Sequence, residues 1–156
     1  MSKAANQQMR LEITSDLLEQ IQVHGEGAYP GEGAGFMLGN SSADLREVTA
    51  ILELPNAREE SAQHNRYLLT PQDMLRSEQE ADKLGLDVIG VFHSHPNHPN
   101  QPSEFDRQWA MPWFSYLITS VESGTAAGSR SWRLTENREA FTEERIEIGE
   151  PLTAEL

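Results

Sequence analysis

The sequence predicts an α/β protein in which a curved, mixed β-sheet is flanked by helices. Three observations support this prediction: short alternating or apolar runs typical of strands, longer segments with the apolar spacing of amphipathic helices, and the interleaving of the two kinds along the chain. The 156 residues contain no internal repeat and no low-complexity tract. We therefore expect one domain over residues 1–150 and a short C-terminal tail over residues 151–156.

The first third of the chain predicts a strand, a helix and a pair of strands. Residues 10–14 alternate as a half-buried strand does, and Thr14 then offers a capping oxygen to a helix that ends near His24. The glycine-rich run 25–35 is a loop by composition, and it contains Glu32. A polar turn joins two further predicted strands, which cover residues 36–39 and 48–54.

The rest of the chain predicts two helices and several short strands. Thr70, Pro71 and Asp73 form a helix start, and Gly85 is a natural stop for that helix. The last predicted strand is expected to lie at an edge of the sheet. The remaining predicted elements are a loop over 56–66, strands over 67–69, 87–92, 113–121, 130–134 and 140–148, a helix over 103–109 and a turn over 124–129.

The composition limits the classes of partner. The chain carries 25 acidic and 12 basic residues, a formal net charge of −13 at pH 7, which repels phosphate backbones and anionic lipid. We therefore expect neither a nucleic-acid nor a membrane partner. No stretch approaches the roughly 18 apolar residues of a membrane span, and the first residues lack the apolar core of a signal peptide. These features predict a soluble, cytoplasmic protein.

The acidic residues are concentrated toward the C-terminus, where we expect them to form a solvated, solubilising surface. Because like charges repel one another, the excess also predicts that added salt stabilises the fold. The acidic side chains of this segment are Glu136, Glu139, Glu143, Glu144, Glu147, Glu150 and Glu155.

Three of the five histidines lie close together, in the run His-Ser-His-Pro-Asn-His that begins at His93. If the strand before them continues, His93 and His95 project to the same face because side chains alternate along a strand. Ser103 then caps a helix whose first turn carries Asp106, which delivers a carboxylate close to the two rings. His98 falls outside this pattern, and we interpret it as a loop residue.

His93, His95 and Asp106 are a set of donors suited to a metal ion. The chain has no cysteine, so any metal must bind through His, Asp or Glu. Zinc hydrolases take three such ligands and leave a fourth position for a water molecule. The helical His-Glu-x-x-His motif, which carries its own general base, is absent from the sequence. Glu32 is the candidate base, because its flanking glycines let backbone and substrate approach closely.

The order Glu32, then His-Ser-His, seven residues, Ser, two residues and Asp resembles the JAB/MPN/JAMM family of zinc metalloproteases. The resemblance covers most of the chain and implies a JAB/MPN-type fold similar to the cytidine-deaminase-like architecture. It implies Zn²⁺ as the cofactor. In the implied roles, His93, His95 and Asp106 ligate zinc, Glu32 activates the zinc-bound water, and the Ser103 hydroxyl stabilises the developing oxyanion.

Deubiquitinases of this family bind ubiquitin through two insertions. The corresponding segments of this chain, residues 56–66 and 122–130, are short and leave little room for them. The resemblance is therefore to the compact prokaryotic type. It implies a metallo-(iso)peptidase that hydrolyses an amide or isopeptide bond at the C-terminal tail of a small ubiquitin-like or sulfur-carrier protein. We expect that tail to lie extended against a free sheet edge near the metal, and the enzyme to be a monomer or a weak homodimer.

Other functions compete with this one. A non-catalytic MPN scaffold would bind partners, but it has no chemical need for an open metal site with Glu32 beside it. A DNA-associated member of the same superfamily also uses a His-x-His and Asp arrangement, but the net charge of −13 disfavours it. A zinc nucleoside deaminase is excluded, because that enzyme needs a pair of cysteines.

Overall fold

Seven strands and three helices make up the described part of the chain, residues 9–55 and 69–151 of a computed structural model. The helices are α1 (Ser15–Ala28), α2 (Pro71–Leu84) and α3 (Glu104–Trp109). The strands are β1 (Arg10–Thr14), β2 (Ala34–Ser41), β3 (Leu45–Glu53), β4 (Asp87–Pro96), β5 (Ser115–Glu122), β6 (Thr125–Leu134) and β7 (Phe141–Gly149).

The strands form one mixed sheet that closes on itself in the order β1-β3-β2-β4-β5-β6-β7. β1 completes the closure because it pairs in parallel with both β3 and β7, so that Leu11 lies opposite Arg46 on one side and Ile146 on the other. β4 and β5 are also parallel, and the remaining neighbours are antiparallel. Every described strand therefore has a hydrogen-bonded neighbour on each side.

Two apolar clusters pack helices against the two faces of this sheet. One cluster joins α1 to the face that carries Met37 and Phe92. The other joins α2 to the opposite face, which carries Phe36 and Val91. Because side chains alternate along a strand, β4 continues past Val91 with His93 on the α2 side and Ser94 on the α1 side.

Helix α2 begins and ends where its capping residues predict. The Thr70 side chain accepts a hydrogen bond from the Asp73 amide, and the Asp73 carboxylate accepts one from the Thr70 amide, each at 3.0 Å. At the other end Gly85 adopts a left-handed conformation with φ of 72°, which closes the helix. Among the described residues, no helix combines the length and the apolar character needed to cross a membrane.

The predicted fold class, a mixed α/β sheet flanked by helices, is confirmed, but several boundaries differ. Helix α1 runs beyond His24 to Ala28, and β4 runs through both histidines to Pro96. The predicted turn over 124–129 is wrong, because the chain reverses at Ser123 and Gly124 and β6 has already begun at Thr125. The elements predicted over 56–68 lie outside the described residues.

The prediction that the last strand lies at an edge of the sheet is wrong, and the prediction that its acidic residues form a solvated surface is wrong for one of them. β7 pairs with β6 on one side and with β1 on the other, so it is not an edge strand. Glu144 on this strand is only 2% exposed. Its carboxylate accepts hydrogen bonds from Arg133 Nε and Ser131 Oγ, both at 2.6 Å, so one of the predicted surface acids is a buried half of an ion pair.

Candidate metal centre

Strand β4 places His93 and His95 on one face of the sheet, as their spacing predicts. Both are buried, with 1% and 6% of their surfaces exposed, and their ring centroids lie 5.1 Å apart. β4 is held in place from both sides, because Ala34 of β2 pairs with His93 and the parallel strand β5 pairs with β4 as far as Pro96. The two rings therefore project from a strand whose backbone has little freedom to shift.

Helix α3 delivers the carboxylate of Asp106 to these rings. Ser103 caps the helix, since its Oγ accepts a hydrogen bond from the Asp106 amide at 3.0 Å. In return the Ser103 amide donates to Asp106 Oδ2 at 2.8 Å. The same oxygen lies 3.2 Å from His95 Nε2, and Asp106 Oδ1 lies 3.9 Å from His93 Nε2. The capping box thus orients Asp106 as well as starting the helix.

The loop after β4 orients the ring of His95 from its other side. His95 Nδ1 donates a hydrogen bond to the carbonyl oxygen of Pro99 at 2.8 Å. The loop is tied down in turn, because Ser120 Oγ donates to the His98 carbonyl at 2.7 Å and the Trp132 indole donates to the Asn100 carbonyl at 3.1 Å. This leaves His95 Nε2 facing Asp106.

Burial and neighbouring charges shift the pKa values of His93, His95 and Asp106 in different directions. Burial lowers the pKa of His93 to about 3, so its ring is neutral at pH 7. Burial also opposes ionisation of His95, but hydrogen bonds to Asp106 and Pro99, with the charges of Asp106 and Glu32, outweigh it and raise its pKa. The pKa of Asp106 falls to about 2, because the neighbouring histidines and the Ser103 amide outweigh the effect of burial.

Glu32 stands at the end of the segment that leads into β2, two residues before the strand begins. Because Ala34 lies opposite His93, this segment runs beside the histidine-bearing end of β4. Glu32 shares with His95 and Ser103 an open cleft of about 350 Å³. Its charge acts on His95, whose pKa it helps to raise. The other residues that line the cleft are His98, Pro99, Gln101 and Pro102.

The three donors suit a tetrahedral divalent ion. One ligand atom from each of His93, His95 and Asp106 lies within 4.8 Å of the other two. Metal bonds of about 2.0–2.2 Å in tetrahedral geometry place neighbouring ligand atoms about 3.3–3.6 Å apart. His95 Nε2 lies close to that separation from Asp106 Oδ2, at 3.2 Å, whereas the 3.9 Å from His93 Nε2 is to the other oxygen, Oδ1, so a single ligating oxygen needs a small shift of the carboxylate. Two imidazoles with one carboxylate are compatible with zinc.

All five predicted site residues lie in this region. His93, His95 and Asp106 form one cluster, and Glu32 and Ser103 lie in the cleft beside it. The predicted free sheet edge next to the histidines is absent from the described strands, because β4 pairs with β2 on one side and β5 on the other. The Pro99 carbonyl was not predicted to contribute, since a backbone acceptor leaves no signature in the choice of side chain.

Comparison with known proteins gives a consistent set of relatives. The family model described as prokaryotic homologs of the JAB domain matches residues 14–135. The desampylase of Haloferax volcanii is 33% identical over 135 residues, which cover 83% of this chain and 93% of that protein. A Thermus thermophilus protein named as a probable TtuB-protein conjugate cleaving protease is 30% identical over 132 residues, which cover 83% of this chain and 79% of that protein.

Solved structures agree with these sequence relatives. The solution structure of a protein from Salinibacter ruber superposes with a TM-score of 0.69 at 40% identity. The match covers 91% of this chain and 92% of that one. Sequence and structure therefore identify relatives over nearly the same part of the chain, the part that contains the His93, His95 and Asp106 cluster.

Proposed function

This chain belongs to the family of prokaryotic homologs of the JAB domain, and on that premise we propose that it is a zinc-dependent metallopeptidase or isopeptidase. Its proposed reaction is hydrolysis of an amide or isopeptide bond at the C-terminal tail of a small ubiquitin-like or sulfur-carrier protein. The observation that carries the proposal is the buried cluster of His93, His95 and Asp106 beside Glu32 in one open cleft.

His93, His95 and Asp106 are the proposed zinc ligands. A bound zinc ion would polarise the scissile carbonyl and lower the pKa of a coordinated water to about 7. The chain itself prepares this position. The Pro99 carbonyl holds the Nδ1 proton of His95, and the Ser103 amide holds one oxygen of Asp106, so the donor atoms of both side chains are oriented before any ion binds.

Glu32 is the proposed general base. Its carboxylate would accept a proton from the attacking water and then return that proton to the departing amine, so that one side chain serves both steps. Support comes from its place in the cleft beside His95 and from the charge through which the two residues already interact. The same carboxylate must reach first the attacking water and then the departing amine, and this requires that the backbone of Glu32 stays in place while its side chain moves.

Ser103 is the proposed hydrogen-bond donor to the oxygen of the scissile carbonyl. Its Oγ accepts the Asp106 amide, and this uses a lone pair and not the hydroxyl proton. The proton remains to be donated, so capping of α3 and stabilisation of a developing oxyanion are compatible in one side chain. The position of Ser103 in the lining of the cleft supports this assignment.

The names of the relatives support a protein conjugate as the substrate class. One relative is named a desampylase and another a probable protease that cleaves a protein conjugate. The cleft is open, and the β5–β6 connection is a tight hairpin in which Glu122 pairs with Thr125. An accessible cleft, with a short hairpin in place of a long insertion between β5 and β6, suits a small protein tail. We further propose that the enzyme acts in the cytoplasm as a monomer or weak homodimer.

Metal content tests the ligand assignment. Protein purified without chelator should contain one zinc per chain by plasma mass spectrometry, and His95→Ala and Asp106→Ala should contain far less. His98→Ala is the matched control, because His98 lines the same cleft but lies outside the cluster. If the parent protein binds no zinc even when it is titrated with zinc, the proposed zinc-dependent hydrolysis is wrong.

Cleavage tests the reaction and separates the enzyme from a scaffold. Substrates should carry a small ubiquitin-like protein joined through its C-terminus to a second chain by a peptide or an isopeptide bond. The zinc-loaded protein should release both products, and Glu32→Gln should bind zinc but release them only at a small residual rate. Glu19→Gln, an exposed change on α1, is the matched control. Zinc-loaded protein that binds the substrate but never cleaves it would favour the scaffold.

A further inference from the structure

Ser94 lies between the two histidines, yet its side chain points to the other face of the sheet. It is 2% exposed and packs toward α1, where Gly25 approaches it closely. A Cβ added at Gly25 would lie 3.0 Å from the Ser94 Cβ, so a larger residue at 25 would require the helix or Ser94 to move by a few tenths of an ångström. Ser94 therefore does not line the cleft and cannot touch a substrate there.

Ser94 makes two hydrogen bonds to Gly33, the residue that follows Glu32. The Gly33 amide donates to Ser94 Oγ at 2.9 Å, and the Ser94 amide donates to the Gly33 carbonyl at 3.0 Å. The second bond is made by backbone alone and would survive most substitutions. The first depends on the hydroxyl, because it is the acceptor for a buried backbone N–H.

The residues on both sides of Glu32 are held as well. The Gly31 amide donates to the Ala28 carbonyl at 2.8 Å, at the end of α1. The Ala34 carbonyl accepts from His24 Nε2 at 3.1 Å and from the Leu54 amide at 3.0 Å. The Ser94 hydroxyl adds a side-chain contact to the backbone bonds that tie this segment to the strand carrying the histidines.

We propose that Ser94 is a positioning residue that fixes the backbone of Glu32 relative to His93 and His95. The proposal rests on the proposed function, because it assigns Ser94 a role through the base. Loss of the hydroxyl leaves the buried Gly33 amide without its acceptor, so the segment must shift or take in water. Glu32 would then spend less time in the orientation that accepts the proton of the attacking water.

The first readout needs neither zinc nor substrate. In Ser94→Ala, the Gly33 amide should exchange its hydrogen with solvent at least about tenfold faster, because the bond that protects it is gone. Ser77→Ala is the matched control. Ser77 is also a buried serine whose hydroxyl makes a hydrogen bond, to the Met74 carbonyl in α2, but it does not line the cleft. That control should leave the exchange rate of Gly33 unchanged.

The second readout is turnover of the zinc-loaded protein on a cleaved tail substrate. Ser94→Ala should lower kcat about tenfold, the size expected when one buried hydrogen bond no longer holds a catalytic group, while KM and zinc content change less than about twofold. Ser77→Ala should keep both constants. If Ser94→Ala does not fold, Ser94→Cys keeps a side chain of the same shape, slightly larger and with only a weak acceptor, and the same results are expected.

A double variant separates positioning of Glu32 from a merely structural role. In the Glu32→Gln background Ser94→Ala should have little further effect on the residual rate, because the group through which it acts is already lost. If the two substitutions lower the rate independently, so that their effects multiply in the double variant, the inference is wrong. It is also wrong if Glu32→Gln is impaired but Ser94→Ala keeps a normal kcat or a normal Gly33 exchange rate. Full turnover by Glu32→Gln would instead overturn the proposed function, and the inference with it.

Discussion

His95 donates its Nδ1 proton to the carbonyl oxygen of Pro99 across 2.8 Å. A carbonyl can only accept, so this bond selects the tautomer in which Nε2 of a neutral ring has a free lone pair. That nitrogen faces Asp106 at 3.2 Å. When the ring is protonated, the Nε2 proton satisfies the carboxylate, and the neutral tautomer would offer the Nε2 lone pair to a metal in the proposed site.

Zinc binding should therefore release close to one proton below the raised pKa of His95. His93, with a pKa of about 3, is already neutral near pH 7, and Asp106, with a pKa of about 2, is already ionised. Only the proton on His95 must be displaced, because its pKa is raised. Below that pKa the logarithm of apparent zinc affinity should rise by about one per pH unit, and at higher pH only ionisation of a zinc-coordinated water, with a pKa of about 7, would add to the rise.

Competition against a chelator between about pH 5 and 8 measures this slope, and calorimetry in two buffers counts the protons released. The exposed His98 serves as the control site, since His98→Ala should reproduce the parent slope. A slope near two below about pH 6, where a coordinated water stays un-ionised, would mean that His93 also carries a proton in the metal-free protein, although its burial favours the neutral ring.

Replacement of Ser103 by alanine should affect both stability and turnover. Loss of the cap on α3 should lower the free energy of unfolding by about 1 kcal/mol. Loss of the hydroxyl donor should lower kcat by about a hundredfold if it stabilises an oxyanion. Urea denaturation measures the first effect, and steady-state cleavage by zinc-loaded protein measures the second.

Thr70→Ala is the matched control for the capping effect, because Thr70 and Asp73 form the same capping box at the start of α2. It should show the same loss of stability with no change in kcat. Equal kcat values for Ser103→Ala and the parent would reduce Ser103 to a capping residue.

The buried ion pair between Arg133 and Glu144 should dominate the electrostatic part of stability. Their side chains are 8% and 0% exposed. Glu144→Ala should lower the free energy of unfolding by about 3–5 kcal/mol, because it leaves a buried guanidinium without its partner. Glu143→Ala, next along the strand, removes only an exposed contact to Arg130 at 3.8 Å and should cost less than about 0.5 kcal/mol. Similar denaturation midpoints for the two variants would contradict this ranking.

Three glutamates face one another across the closing strands, because Glu12 lies opposite Glu47 on β3 and Glu147 on β7. Glu47→Lys should replace a repulsive neighbour with an attractive one and stabilise the protein by about 0.5 kcal/mol at low salt. The gain should shrink in concentrated KCl, while the parent itself becomes more stable because salt screens its net charge of −13. Thermal unfolding at a series of KCl concentrations measures both trends.

Glu19→Lys is the control, because it makes the same change in charge at an exposed position on α1. It should stabilise the protein less than Glu47→Lys does, and an equal stabilisation would show that only the net charge matters.

Features that depend on neighbours in sequence could be predicted well. The Thr70 cap, the Gly85 stop and the shared face of His93 and His95 follow from local spacing, and all three are present. Glu32 was identified by its glycine neighbours together with a resemblance to a family. Its place beside His95 depends on pairing between β2 and β4, which local spacing does not encode.

Features that depend on distant partners could not be predicted. Glu144 resembles its acidic neighbours in sequence, and only the approach of Arg133 from β6 makes its burial favourable. The small residues after Gly124 resemble a turn because strand preference is weak for glycine and alanine, yet pairing with β5 extends them. The closure of the sheet was missed for the same reason, since no local pattern marks β1 as the partner of β7.

That closure sets how quickly the protein can fold. Arg10 pairs with Arg145, so the last strand junction joins residues near opposite ends of the described chain. Contacts between residues so far apart in sequence require a large loss of chain entropy before they contribute energy, and such topologies fold in milliseconds to seconds. The β5–β6 hairpin can form locally and early, whereas the β1–β7 junction must await the rest of the sheet. We therefore expect refolding to be limited by the docking of the two terminal strands.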